Sequence, residues 1–324
     1  MTFNSGMWNL SFSPPQVIQA RVLTRLPESF RARRRTEWSD ANKPGHEVDS
    51  FLEGPSFDRA GNLYVTDIPF GRIFRISPQL EWTLVAEYDG WPNGIAIHGD
   101  GSLWIADYRK GLLRLEPDRL AGESDRLPGE GRGPIPLLPH RNSESFKGLN
   151  DLTFDRDGNC YFTDQGQSGL HDPSGRVYRL GATGHLDLLI GGIPSPNGVA
   201  LDKAGKVIFV AVTRANQVWR GPLLADGSVT KVGAFRSFFG ASGPDGMALD
   251  VDDRLVVAHA SLGGAFLLNA RGEVTHFIAS PAGSTVTNVA YRPGTSKLVM
   301  TESETGAVLE ADMPAPGALL FSHA

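Results

Sequence analysis

A polar residue recurs at the start of six similar segments along this chain. The segments lie about 40 to 57 residues apart, and each continues with an apolar run, a turn rich in Asp and Gly, and a second apolar run. Aligned by their turns, they place one carboxylate or amide residue in an equivalent position, here called the slot: Glu53, Asn93, Asn150, Asn197, Asp245 and Asn288. Carboxylate and amide oxygens are the ligands that hard divalent cations prefer. The slot residues therefore predict a metal site, provided that the fold brings them together.

The spacing of the segments predicts that fold. Repeats of this length are typical of architectures in which each unit buries its apolar face against its neighbours. Two apolar runs joined by a short Gly and Asp turn predict a β-hairpin, and two further strand-like runs usually follow. We therefore expect an all-β fold, a six-bladed β-propeller with four-stranded antiparallel blades around a central channel.

The segments outside the repeats have separate predictions. Residues 51–324 are expected to form the propeller and residues 1–50 an N-terminal arm. Within the arm, Gln19–Pro27 is a possible ring-closing strand that pairs with the last strands of the chain; a loose arm over the disk is the alternative. Trp38–Ser50 leads directly to Glu53 and is expected to wall the pocket. The long segment Pro117–Lys147 is predicted to form a lid or a binding wall.

Propeller geometry also predicts a second ring of side chains. The innermost strand starts at one face of the disk and the next strand returns to it, so a residue 14 positions after the slot should lie beside the slot. These companion residues are Asp67, Asp107, Asp164, Ala211, His259 and Glu302. As an alternative, slot Asn and Asp residues cap tight turns through their own backbone. That alternative explains poorly why the first copy opens with Glu53.

Four slot residues form the predicted metal set: Glu53, Asn150, Asn197 and Asp245. Two carboxylates and two amide carbonyls favour Ca²⁺, with Mg²⁺, Mn²⁺ or Zn²⁺ as possible replacements, and they leave positions for water and a substrate oxygen. Such an open site polarises a carbonyl group and lowers the pKa of bound water. The predicted reaction class is hydrolysis of an ester, lactone or phosphoester bond.

Four motifs also carry a family resemblance. LEGPSFD, LNDLTFDRDG, SPNGVALD and GPDGMALD, each containing one residue of the metal set, resemble the motifs of the senescence marker protein (regucalcin), gluconolactonase and luciferin-regenerating enzyme family. The resemblance implies a six-bladed propeller with one catalytic divalent metal that hydrolyses sugar or other lactones. It places metal ligands on Glu53, Asn197 and Asp245, and a residue that contacts metal or substrate on Asn150. It also implies that Asp245 acts as general base.

Other residues are predicted to act around this site. Asp164 is a candidate for orienting a ligand or transferring a proton, and His259 for shuttling a proton at neutral pH. The alternative for His259 is an imidazole bonded to neighbouring backbone. Asn93, Asn150 and Phe146 are predicted to contact the substrate, with plain packing as the alternative for Phe146. The segment after Asp164 reads Gln-Gly-Gln, where gluconolactonase-like members often carry a proline and tyrosine turn.

Composition limits the remaining possibilities. The formal charge is −5, from 31 Lys and Arg against 36 Asp and Glu, and no basic stripe predicts a nucleic-acid partner. Cys160 is the only cysteine, and neither a signal-like start nor a run of 18 apolar residues occurs, so we expect a cytoplasmic protein without a membrane partner. The leading hypothesis is a metal-dependent lactonase acting on a small-molecule lactone. An aryl esterase or phosphotriesterase on the same site, and a non-enzymatic calcium-binding propeller, are the alternatives.

Overall fold

The computed structural model describes residues 14–116 and 133–324. Within these residues six antiparallel sheets form the blades of a propeller, so the predicted fold is confirmed. Residues 117–132, the first part of the predicted lid, lie outside the described residues. In the described part of the chain, no helix is both long and apolar enough to cross a membrane.

The first strands lead into blades 1 to 3. Two strands precede the blades, β1 (Gln16–Gln19) and β2 (Arg21–Arg25), followed by the helix α1 (Glu37–Asn42). Blade 1 contains β3 (Leu52–Phe57), β4 (Leu63–Asp67), β5 (Arg72–Ile76) and β6 (Trp82–Glu87). Blade 2 contains β7 (Pro92–Ile97), β8 (Leu103–Asp107), β9 (Gly111–Leu115) and β10 (Ile135–Leu138). A separate hairpin follows, with strands β11 (His140–Arg141) and β12 (Glu144–Ser145). Blade 3 contains β13 (Leu149–Phe154), β14 (Cys160–Asp164), β15 (Gly175–Leu180) and β16 (Leu186–Ile193).

Blades 4 to 6 complete the ring. Blade 4 contains β17 (Pro196–Leu201), β18 (Val207–Val212), β19 (Gln217–Pro222) and β20 (Gly233–Ser237). Blade 5 contains β21 (Pro244–Leu249), β22 (Leu255–His259), β23 (Gly264–Leu268) and β24 (Val274–Ala279). Blade 6 contains β25 (Val286–Tyr291), β26 (Lys297–Glu302) and β27 (Ala307–Asp312). Short 3-10 helices occur at Glu28–Phe30, Ile68–Phe70, Thr213–Ala215 and Phe321–His323.

The hairpin turns form because Asp side chains accept backbone N–H groups there and Gly residues adopt the positive φ of the turn. Between β3 and β4, the Asp58 Oδ1 atom accepts the backbone N–H of Asn62 at 2.8 Å, and Gly61 adopts a φ of 82°. Asp155 and Gly158 repeat this arrangement in blade 3. A positive φ favours glycine, since glycine has no Cβ atom that would clash. The local sequence therefore determines where each inner strand turns back.

The innermost strands β3, β7, β13, β17, β21 and β25 contact one another in cyclic order around the channel. Glycine after the slot makes this close approach possible. A Cβ atom at Gly54 would lie 2.5 Å from the Asn93 carbonyl oxygen in the next blade. At Gly198 a Cβ would collide with the Asp245 carbonyl oxygen in the same way. The slot residues of neighbouring blades are therefore held close together around the channel.

The N-terminal strands close the ring. β2 pairs antiparallel with β27 and supplies the outermost strand of blade 6, with Arg21 opposite Glu310. β1 adds to blade 5 as a fifth strand, parallel to β24. Between this closure and the first blade, the Trp38 ring of α1 packs on Phe51 at 4.6 Å between ring centroids. The arm thus covers the segment that leads to Glu53.

The C-terminal segment after β27 crosses the far face of the propeller, where the hairpin turns lie. Its backbone bonds blade 5 through Ala318 N–H to Leu249 O at 2.9 Å. The Phe321 ring then contacts His98 of blade 2 and Phe154 of blade 3, at centroid distances of 5.1 and 5.6 Å. This segment helps to line a channel cavity of about 600 Å³ at that end. It therefore ties the last blade to blades on other parts of the ring.

Phe321→Ala should destabilise the protein because it removes this aromatic contact. We expect a loss of about 1–3 kcal/mol, below the cost of truncating a fully buried Phe, since Phe321 is half-buried. Chemical denaturation of both proteins measures the difference. Leu319→Ala in the same segment is the matched control, because Leu319 is 65% exposed. Equal stability of the two variants would contradict the anchoring role.

Candidate functional site

The strand register defines which residues occupy equivalent positions at the slot. Leu52 pairs with Asp67, Pro92 with Asp107, Leu149 with Asp164 and Pro244 with His259, so these companions lie beside the starts of their inner strands. Two positions differ from the prediction. The register places Thr287, not Asn288, in the slot of blade 6, and Val212, not Ala211, in the companion position of blade 4. In both blades the hairpin turn is one residue longer than in blade 1, which shifts the alignment.

Three buried carboxylates converge from alternate blades: Glu53 of β3, Asp151 of β13 and Asp245 of β21. Burial raises the pKa of Glu53 to about 8, and the charge of Asp151 adds to this effect. Burial raises the pKa of Asp151 to about 7. The pKa of Asp245 lies well above its usual range, first because of burial and then because of the charges of Glu53 and Asp151. The three groups are therefore close enough to repel one another when ionised.

The orientation of Glu53 is fixed by hydrogen bonds to its carboxylate. The Glu53 Oε2 atom accepts the backbone N–H of Gly54 at 2.5 Å and the Asn288 Nδ2 amide at 2.8 Å. The Asn288 Oδ1 atom in turn accepts the backbone N–H of Val289 at 2.8 Å. Asn288 therefore acts as a donor to Glu53, one position beyond the slot where the sequence had placed it.

Asp151 lies near the slot carboxylates, and its position there was not predicted from the sequence. It follows the slot residue Asn150, and the equivalent position is glycine in blades 1, 2, 4 and 5. A Cβ atom at Gly94 of the neighbouring blade would collide with Asp151 Oδ1, so that glycine makes room for the carboxylate. The sequence does contain a sign of this position, since Asp151 is acidic where four other blades have glycine. The prediction considered only the slot residue before it.

The slot amides of blades 3 and 4 complete the arrangement. Asn197 hydrogen-bonds Asp245, and the buried Asn197 Oδ1 atom has no hydrogen-bond partner. The Asn150 Nδ2 amide donates to Gln165 Oε1 at 2.9 Å, which leaves the Asn150 Oδ1 atom on the opposite side of the amide. An unpaired buried oxygen beside carboxylates is unfavourable unless a donor or a cation satisfies it.

These residues fit a hard divalent cation. In the described ranges, no group of three His, Cys, Asp or Glu side chains is arranged to hold a metal by itself. The amide oxygens of Asn150 and Asn197 would add two neutral ligands to the carboxylates. The four predicted ligands, Glu53, Asn150, Asn197 and Asp245, all occupy the slot of their strands. The carboxylates Glu53 and Asp245 repel each other, and Asn197 Oδ1 is unpartnered. A cation would relieve both conditions.

The companion carboxylates hold the segments that enter the inner strands. Asp67 Oδ1 accepts the backbone N–H of Phe51 at 2.7 Å, and Asp164 Oδ1 accepts that of Gly148 at 2.9 Å. Burial is the main cause that raises the pKa of Asp164. The structure therefore brings Asp164 beside the strand of Asn150 and engages one of its oxygens with backbone. Its predicted role in proton transfer stays a prediction.

His259 is fully buried beside the start of β21. Burial lowers its pKa to about 4, so the imidazole is neutral at physiological pH. The Nε2 atom lies 3.3 Å from Asn216 Oδ1, and the ring contacts Phe238 and Phe266. The imidazole also hydrogen-bonds the Phe239 backbone, which agrees with the alternative of an imidazole bonded to neighbouring backbone. The role of His259 as a proton shuttle stays a prediction.

His259→Gln should therefore leave calcium binding unchanged and lower kcat less than about threefold, because an imidazole whose pKa is lowered to about 4 seldom takes up a proton at neutral pH. Steady-state kinetics against pH, with calcium titration, measure both quantities. A tenfold or larger fall in kcat with intact calcium affinity would restore the proton-shuttle prediction.

The predicted substrate contacts lie in different environments. Asn93 is buried in the slot of β7, and its backbone oxygen accepts the Thr66 hydroxyl at 2.8 Å. Phe146 is half-buried and packs its ring against Phe162 and Tyr178, at 5.6 and 5.5 Å between centroids, beside the hydrophobic cluster of blades 2 and 3. These contacts support the packing alternative for Phe146. Contact of Asn93 with a substrate stays a prediction.

The fold is that of a six-bladed propeller whose inner strands bring buried carboxylates and amides together around the channel. The model of the SMP-30/Gluconolactonase/LRE-like region matches residues 51–304, and this chain belongs to that family. Lactonase drp35 of Staphylococcus aureus (strain MRSA252) is 29% identical over 279 residues, which cover 82% of each protein.

Solved structures share the fold. The regucalcin of Agrobacterium tumefaciens strain C58, described as a calcium-binding protein, superposes with a TM-score of 0.73 at 18% identity, covering 94% of this chain and 97% of that one. A gluconolactonase of Xanthomonas campestris gives a TM-score of 0.70 at 18% identity, covering 91% and 99%. Together, the family and the lactonase relatives support a lactone-hydrolysing enzyme.

Proposed function

We propose that this protein is a lactonase that uses one divalent cation, preferentially Ca²⁺, held by Glu53, Asn150, Asn197 and Asp245. The main support for the proposal is that the Asp245 carboxylate, which Glu53 and Asp151 repel, is bonded to Asn197, whose Oδ1 atom has no hydrogen-bond partner. Lactonase drp35 and the calcium-binding regucalcin among the similar proteins add support for the reaction and for the ion. A bound divalent cation at such a site polarises the substrate carbonyl and lowers the pKa of water.

The residues of the chain supply the remaining steps. Asn288 and the Gly54 N–H hold Glu53 in one orientation, and Asn197 holds Asp245. Asp245 is proposed to accept a proton from the attacking water as a new bond forms to the lactone carbonyl carbon. The ring C–O bond then breaks, and the proton passes to the leaving oxygen, which gives a hydroxy acid. Asn93 is proposed to bind the substrate, and Asp164 remains the second candidate for proton transfer.

A hydrolysis screen with a pH indicator tests the proposal. Sugar lactones, aliphatic lactones, aryl esters and phosphotriesters are compared before and after EDTA, and single metals are then added back. We expect lactone hydrolysis that EDTA abolishes and Ca²⁺ restores. Faster hydrolysis of aryl esters or phosphotriesters would favour the second enzymatic function. Calcium binding without hydrolysis of any substrate would favour a non-enzymatic propeller.

A further inference from the structure

Gln165 lies directly after β14 and bridges two neighbouring blades. Its Oε1 atom accepts the Asn150 Nδ2 amide of blade 3 at 2.9 Å. Its Nε2 amide donates to the Ser195 hydroxyl at 3.0 Å, two residues before Asn197 of blade 4. One side chain therefore connects the segments that carry both amide ligands of the proposed metal site.

The far end of this bridge is rigidly held. Ser195 is buried and adopts a left-handed φ of 65°, which is unfavourable for a residue with a Cβ atom and needs support from its surroundings. That support comes from its backbone N–H, which donates to Ser168 Oγ at 3.0 Å, and its carbonyl oxygen, which accepts the Thr213 N–H at 3.0 Å. The Ser168 hydroxyl in turn donates to the Gln165 carbonyl oxygen at 2.5 Å. The Ser195 backbone is thus held in place by hydrogen bonds, and its hydroxyl is the group that accepts from Gln165.

We infer that Gln165 is a positioning residue that orients the Asn150 side chain for cation binding. Because the Nδ2 atom is engaged by Gln165, the Oδ1 atom must face away from Gln165, where it is available as a ligand. Without this acceptor the amide can rotate and present its N–H₂ group, which repels a cation. Groups that orient metal ligands typically change metal affinity by about 10- to 100-fold. This inference rests on the proposed metal-dependent function.

The loop that carries Gln165 does not depend on that side chain for its shape. The backbone N–H groups of Gln165 and Gly166 both donate to the Gly148 carbonyl oxygen, at 2.8 and 3.1 Å. A Cβ atom at Gly166 would lie 2.7 Å from Lys147 Cβ, so glycine is needed for this close packing. Replacing only the Gln165 side chain therefore tests orientation and leaves the loop backbone in place.

Three variants of the 324-residue chain distinguish a loss of Asn150 orientation from a general disturbance of the loop that carries Gln165. Gln165→Met keeps the side-chain length but removes both hydrogen bonds, and Gln165→Glu keeps an acceptor for Asn150. Gln167→Met is the matched control, since Gln167 is exposed and donates to the Tyr108 hydroxyl at 2.8 Å. Calcium affinity is measured by calorimetry, together with kcat and KM for the lactone that the parent hydrolyses best.

We expect Gln165→Met to weaken calcium binding by about 10- to 100-fold, Gln165→Glu to recover affinity to within about threefold of the parent, and Gln167→Met to match the parent. At saturating calcium, kcat of Gln165→Met should recover most of the parent value. Parent-like calcium affinity in Gln165→Met, or equally weak binding in the Met and Glu variants, would overturn the inference.

Structures of the metal-free proteins test the orientation of Asn150 independently of the proposed function. Crystal structures of the metal-free parent and of Gln165→Met, at atomic resolution where amide oxygen and nitrogen are distinguished, should show the Asn150 amide in one orientation in the parent and rotated or divided in the variant. An unchanged Asn150 in the variant overturns the positioning role even if the parent is a calcium-dependent lactonase. If the two structures differ as expected but the parent binds no calcium, the metal site is refuted. The function assigned to Gln165 is then refuted as well.

Discussion

Asp245→Asn should abolish lactone hydrolysis and, at the same time, stabilise the metal-free protein. Hydrolysis is expected to fall by a factor of about 10³ or more, because the variant loses both a cation ligand and the proposed general base. The metal-free protein should gain stability because Asn removes a buried carboxyl group that is repelled by Glu53 and Asp151. We expect a gain on the order of 1–3 kcal/mol, in the range found for uncompensated buried groups. Initial rates and denaturation in EDTA measure the two effects.

Asp250→Asn is the control for this prediction. Asp250 is also buried in blade 5, but its carboxylate pairs with Arg254 at 2.7 Å and accepts two backbone N–H groups of the turn. Its replacement should lower stability and leave hydrolysis near the parent rate. The assignment of Asp245 fails if Asp245→Asn keeps full activity, or if it destabilises the metal-free protein as Asp250→Asn does.

The sequence predicted the blades and most slot positions because the information is local. A slot residue, an apolar run and a turn of Asp and Gly lie within one short segment, and the glycine after the slot marks the close approach of the next blade, as at Gly54 and Gly198. The errors at Thr287 and Val212 also have a local cause. One extra residue in a turn changes the register of a strand without changing its hydrophobic pattern.

The relations between blades could not be predicted in this way. Asp151 lies near Glu53 and Asp245 because Gly94 of the neighbouring blade leaves space for its carboxylate. The Gln165 bridge joins Asn150 to Ser195, which lies 30 residues after Gln165 in the chain. His259 was correctly placed beside the slot strand, but its low pKa depends on burial by Phe238 and Phe266. Side-chain direction and burial of this kind arise from packing between blades.

The stability of the metal-free protein should fall as the pH rises from 6.5 to 8, and calcium should remove this fall. Glu53 has a pKa of about 8 in the folded protein against 4.5 for the free side chain, and Asp151 about 7 against 3.8. The folded state therefore holds protons that the unfolded chain has already lost. The stability that Glu53 and Asp151 contribute is complete below the pKa values of the free side chains. It is lost as the pH rises through their folded pKa values of about 8 and about 7. The slope is about 1.4 kcal/mol per pH unit for each proton held.

The choice of pH window excludes the titratable groups that would act in the opposite direction. Below pH 6.5 the low pKa of His259 acts in the opposite direction, because the unfolded imidazole takes up a proton that the buried ring does not. Asp100, whose pKa is lowered to about 2, affects stability only in stronger acid. Between pH 6.5 and 8 we therefore expect the slot carboxylates and Asp151 to lose protons. Burial also raises the pKa of Asp67, Asp107 and Asp164, and any protons that these groups release act in the same direction.

Calcium removes this dependence because it binds the ionised carboxylates and displaces their protons. The increase in Tm on adding calcium should consequently be larger at pH 8 than at pH 6.5. Scanning calorimetry in EDTA and in excess Ca²⁺ at both pH values measures it, and Asp245→Asn should give a shallower slope in EDTA. A metal-free Tm that rises over this range, or a calcium effect independent of pH, would show that protons and cation do not compete for the same buried carboxylates.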